Sequence, residues 1–144
     1  MEKNSFRIRD IPIKSFMFET NSNDDFGTVL KRYMDEENVS VRNLALRTGI
    51  SFNSLVKYRS GHIPKDYQII VMLCIGLKIN QKRAEYLFKL AHLSLGDDVT
   101  SMIYRTLISL SFVSEITIEE CNSILSQYGL QELKTVSNFM RSEK

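Results

Sequence analysis

From Asp25 onward, apolar residues return every three or four positions, the repeat of a helix with one side turned to a core. Phe26, Val29, Leu30 and Tyr33 share one side of a first helix expected over residues 25–37, which closes on the acidic DEEN. Ser40 is the predicted N-cap of a second helix over 41–47, with Val41, Leu44 and Ala45 facing inward. Gly49 supplies a sharp turn, Ile50 is a plug for the core, and Ser51 caps a third helix over 52–60 that Gly61 ends. Pro64 is expected in the first turn of a fourth helix reaching Cys74, where its missing N–H breaks no helical bond.

A fifth helix over 81–91 follows Asn80 and turns Ala84, Leu87, Phe88 and Ala91 inward. A sixth, 98–111, is capped by Asp97 or Asp98, and a seventh, 118–128, starts from Thr117 with Glu119 and Glu120 in its favourable first turn. Gly129 stops the seventh, and an eighth is expected over 131–141. AEYLFKLAHLSL (84–95) and ECNSILSQYGLQEL (120–133) read as two similarly built helical hairpins. Before the first helix, FRIRDIPIKSFMFET alternates partially and contains Pro12, the pattern of an extended arm or a short strand. The expected architecture is all-α: an arm over 1–24, a helical unit over 25–91, and a C-terminal helical packing or dimerisation region over 92–144.

Composition sets the limits. The chain has 144 residues, 43% hydrophobic and 25% charged, enough to bury a core without disulfides or metals. Cys74 and Cys121 both sit in apolar helical patterns and are expected to be buried thiols. The longest apolar run, IIVMLCIGL, falls far short of the roughly 20 residues that cross a bilayer, and the start has no secretory pattern. A reducing, cytoplasmic setting is therefore expected.

A net charge of +2 says little, but its distribution says more. Residues 1–37 carry eight acids and six bases, and residues 97–144 carry seven acids and four bases. Residues 38–65 carry no acid and five bases: Arg42, Arg47, Lys57, Arg59 and Lys65. The basic interval coincides with SVRNLALRTGISFNSLVKYRSG, two short helical patterns meeting at a glycine.

That stretch resembles the repressor-like helix-turn-helix domains of phage repressors and xenobiotic-response-element regulators, over residues 25–77. Its marks are Leu44 and Ala45 in the first motif helix, Gly49, Ile50 and Ser51 at the turn, Leu55 as buried anchor, and Gly61 before Pro64. Residues 87–133 look like the extensions of some small bacterial proteins of this type. The resemblance implies a five-helix unit followed by a small helical extension, and operator DNA bound by a homodimer. In two places the chain departs from the family pattern. Val41 stands where a glutamine often supports a phosphate contact, and Tyr58, Arg59 and Ser60 replace an isoleucine and glutamate that commonly precede the loop glycine.

On this reading the outward positions of the third helix meet base edges. Asn53 matches the paired donor and acceptor of adenine, Lys57 the acceptors of guanine, and Phe52 or Val56 a thymine methyl. Arg42, Ser51, Arg59, Ser60, His62 and Lys65 are the expected phosphate contacts, which set register rather than sequence. Nothing in the chain has the spacing of a metal site, a phosphate-cradling glycine loop or a nucleophile motif, so no enzyme activity, metal or cofactor is expected. The alternative is a protein-interaction module of the same architecture, with a protein partner in place of DNA; Val41 and Phe52 point that way.

Overall fold

The computed structural model describes residues 20–134, which form seven helices and, among those residues, no strand. They are α1 (Phe26–Glu36), α2 (Val41–Thr48), α3 (Phe52–Ser60), α4 (Tyr67–Leu77), α5 (Gln81–Leu90), α6 (Val99–Val113) and α7 (Ile118–Gln127). The chain is all-α. The arm expected over 1–24 lies outside the described residues except for 20–24, which make a turn into α1.

Local chemistry sets where each helix starts. Asp25, Ser40, Ser51, Asn80, Asp98 and Thr117 each turn a side-chain oxygen back to a backbone N–H of the first turn, where no intrahelical acceptor exists. At α7 the cap is reciprocal: Thr117 Oγ1 accepts from Glu120 N, and Glu120 accepts from Thr117 N. The fourth helix starts later than its sequence pattern predicts. Asp66 caps it through Gln68 N at 2.9 Å, so Pro64 is a buried loop residue rather than part of the first turn. The eighth helix also differs. Residues 131–134 are not helical, because Asn122 claims both backbone groups of Leu133, donating to its carbonyl at 3.0 Å and accepting from its N–H at 2.6 Å. The rest of that expected helix, 135–141, lies outside the described residues.

The core is built around α4. Ile70 to Leu77 are all buried, so this helix has no solvent face over its last two turns. It packs against α2, α5, α6 and α7. Each fully buried Ile, Leu or Met on it contributes about 1.5–3 kcal/mol of transfer free energy. The cluster is continuous from Phe26 to Leu133. Cys74 and Cys121 belong to it, and burial pushes both thiols up, Cys121 to about 11.

Two glycines set how closely helices approach. A Cβ on Gly27 of α1 would lie 2.7 Å from the Arg59 carbonyl oxygen and 3.0 Å from that of Tyr58, so α1 seats directly on the backbone at the end of α3. A Cβ on Gly76 of α4 would lie 2.5 Å from Thr48 Cγ2 on α2. Polar ties hold the entrance to α1: Asp24 accepts from Arg32 at 3.0 and 3.1 Å and from the Tyr86 hydroxyl of α5 at 2.6 Å. The Arg32 bond, helped by Tyr86, holds the Asp24 carboxyl below its ordinary value of 3.8.

Gly27→Ala gains helix propensity but forces backbone apart, and a net loss of about 1–3 kcal/mol is expected in urea unfolding. Because the folded-state pKa of Asp24 is depressed, its contribution is present above pH 3.8 and disappears as pH falls through the folded-state value. Asp24→Asn should therefore lower the urea midpoint at neutral pH, and its curve should converge with that of the parent chain in acid.

Candidate nucleic-acid interface

The connection between α2 and α3 is three residues long, and each has a defined task. Gly49 is left-handed (φ 78°) and donates to Ala45 O at 2.8 Å, ending α2. Ile50 is buried, and Ser51 caps α3 by accepting from Ser54 N at 3.1 Å. Thr48 completes the turn from inside. Its buried hydroxyl donates to Leu44 O at 2.7 Å and accepts from Ile50 N at 3.1 Å, so the last turn of α2 and the plug are held by one group. The pattern of apolar residues does not mark Thr48, because a threonine at a helix end reads as polar.

On α3 only Leu55 is fully buried, with Tyr58 partly so. That fixes the rotation of the helix. Phe52, Asn53, Val56 and Lys57 all lie on the exposed side, although two of them are large apolar residues. Arg42 at the start of α2, and Ser60, His62 and Lys65 at and beyond the end of α3, are exposed around them; Arg59 is partly buried. Among the described residues, Arg42, Lys57, Arg59 and Lys65 form no ion pair, which leaves their charge available to an outside anion.

Two expected phosphate contacts have hydroxyls already in use. Ser51 Oγ donates to Ser54 Oγ at 2.8 Å, and Ser60 Oγ donates to Val56 O at 2.8 Å. Arg47, the fifth base of the interval, is directed elsewhere: its guanidinium donates to Gly76 O at 2.9 Å, near the end of α4. Ala45 is half-buried and lines, with Arg42, Leu46, Ile50 and Phe52, a groove of about 430 Å³ between α2 and α3. Leu46 on its rim is 78% exposed. Sequence periodicity did not single out Leu46 or the two close-approach glycines. An isolated glycine in an apolar helical pattern was the available signal for Gly27 and Gly76.

Among the described residues, no group of three His, Cys, Asp or Glu side chains is placed to hold a metal ion, and no helix is long and apolar enough to cross a membrane. The arrangement offers instead an outward row of one amide, one ammonium and two apolar side chains, bordered by further cations. Such a row donates and accepts hydrogen bonds at base edges and attracts phosphate.

Removing the cap with Ser51→Ala should cost about 1 kcal/mol of stability, while Ser60→Ala, which removes only a back-bonded surface hydroxyl, should stay within about 0.5 kcal/mol. Parallel thermal unfolding of the two variants measures the difference.

No protein-family model, curated protein or solved structure matches this chain.

Proposed function

We propose that the protein is a sequence-specific double-stranded DNA-binding regulator, in which α1 to α5 form a repressor-like helix-turn-helix unit and the remaining helices an extension. The observation that carries this reading is the outward row Phe52, Asn53, Val56 and Lys57 on a helix fixed from behind by Leu55, with Arg42, Arg59, His62 and Lys65 around it. Asn53 and Lys57 read base edges, Phe52 and Val56 meet thymine methyls, and the flanking bases hold the phosphate backbone. Ser51 and Ser60 contribute through their backbone position, since their hydroxyls are engaged. The protein acts in the cytoplasm by occupying an operator and excluding other factors, without enzymatic chemistry or a cofactor. One module covers a modest footprint, so two copies are used on one site.

A second reading has its own observation. Leu46, at 78% exposed, and the groove beside Phe52 form an apolar surface suited to a protein partner rather than to a phosphate backbone. In that case α2 and α3 serve an interaction module without specific DNA reading.

Selection from random duplexes with the full-length protein separates the two. DNA reading predicts an enriched consensus. It also predicts that Lys57→Ala changes preference at one position by about 1–3 kcal/mol, while Arg42→Ala weakens all sequences alike and lowers the salt slope by about one. Absence of any enriched sequence, with a partner protein lost on Leu46→Glu, supports the interaction module.

A further inference from the structure

The fifth and sixth helices leave a cleft between them that their own side chains do not fill. It has a volume of about 500 Å³, within the roughly 300–1,000 Å³ of small-molecule sites. Ala84 and Phe88 of α5 and Ile108 of α6 form an apolar floor, and Leu93 and Leu95 of the connecting segment line it from the side. Polar ties fix these walls. Gln81 of α5 donates to Arg105 O at 2.7 Å and to Ser109 Oγ at 2.8 Å, and Arg105 of α6 donates to Leu95 O at 2.9 Å. Both helices and the segment between them are thus held in place before anything binds, which lowers the ordering cost of a ligand.

Around the apolar floor the charge is positive. Lys89, His92 and Arg105 line the cleft together with one acid, Glu85. Among the described residues, Lys89, Arg105 and Glu85 form no ion pair. Arg105 uses one N–H on Leu95 O and keeps others for an incoming acceptor. Asp98, whose charge also acts on Arg105, is occupied by Ser101, accepting from its hydroxyl at 2.8 Å and from its N–H at 3.3 Å. Two permanent cations against one carboxylate leave the cleft with a single positive charge.

We propose that this cleft binds a small organic carboxylate, one negative charge carried on an apolar body. The floor buries the body, Arg105 and Lys89 take the carboxylate, and the exposed His92 donates to it in either protonation state. Charge selects this class. A neutral apolar molecule would cover the free donors of Arg105 without giving them an acceptor, and a phosphate dianion would exceed the single positive charge available. The cleft shares no lining residue with the groove between α2 and α3 or with the outward row of α3. Its occupant is therefore measured without DNA, and the proposal does not rest on the DNA-binding reading.

His92 permits a clean removal of one polar group. Its backbone is left-handed (φ 60°), and Leu93 N beyond it donates to Phe88 O at 3.0 Å, a helix ending that glycine takes most readily. His92→Gly therefore deletes the imidazole at a position whose backbone suits the replacement.

Octanoate, phenylbutyrate and indoleacetate are the probes, each one carboxylate on an apolar body. Titration of the full-length protein, followed by amide NMR, should give saturable shifts at Lys89, from His92 to Leu95 and at Arg105 with at least one of them. For ligands of this size the dissociation constant is expected on the order of 0.1–1 mM. Phenylbutanol, which lacks the charge, and inorganic phosphate, which lacks the body, should bind at least about tenfold more weakly. Lys89→Glu, at an exposed position, should weaken the carboxylate at least about tenfold while the spectrum of the free protein stays unchanged away from α5. His92→Gly should weaken it about threefold and hold or raise the thermal midpoint. No saturable shift with any of the three carboxylates overturns the proposal, whether the cleft stays empty or another part of the chain fills it. Equal binding of phenylbutanol, tighter binding of inorganic phosphate, or indifference to both variants overturns it as well.

Discussion

Most of the packing among the described residues is arranged around a helix that cannot face water. From Ile70 to Leu77, α4 is apolar on every side, and leaving it exposed on any side would forfeit several buried side chains at about 1.5–3 kcal/mol each. Four helices are therefore drawn onto it: α2 from the first half of the chain, α5 beside it in sequence, and α6 and α7 from the second half. Gly76 lets α2 come within contact of the α4 backbone, and Arg47 answers the carbonyl of that same glycine. Arg47 thus ties α2 to the core helix rather than enlarging the basic surface.

The third helix stands apart from this arrangement and gains its exposure from doing so. It is held by α1, through the close approach at Gly27, and by α2, through Thr48, Ile50 and Leu55. Both holds act on its inner side or its ends. A short helix fixed from behind, with unpaired cations at its edges, is a rigid platform, and rigidity lowers the ordering cost of binding.

Much of the fold was legible because helix boundaries are local. Asp25, Ser40, Ser51, Asn80, Thr117, Gly49, Gly61 and Gly129 announce starts and stops through side-chain capping or permissive backbone, and none of these needs a distant partner. What depended on tertiary contact was not legible. A helix without a polar face gives no hint of which neighbours cover it, so the packing of α6 and α7 on α4 had no sequence signature. The tie between Asp24 and Tyr86 spans 62 residues, and the mutual bonds of Asn122 and Leu133 replace a helix that periodicity favoured. Within the candidate site, position on α3 was readable from Leu55 alone. The engagement of the Ser51, Ser60 and Arg47 side chains was not, since each chose a backbone or hydroxyl partner over solvent.

The central claim is that one surface, the outward side of α3 with its basic surroundings, meets DNA. Backbone amide shifts of the full-length protein, followed by NMR during titration with a selected duplex, test it residue by residue. The account predicts shifts concentrated at Arg42, from Phe52 to Lys57 and through the 61–65 loop, and diminishing with added salt as phosphate contacts require. Shifts confined to other helices, or none at any duplex concentration, would contradict it.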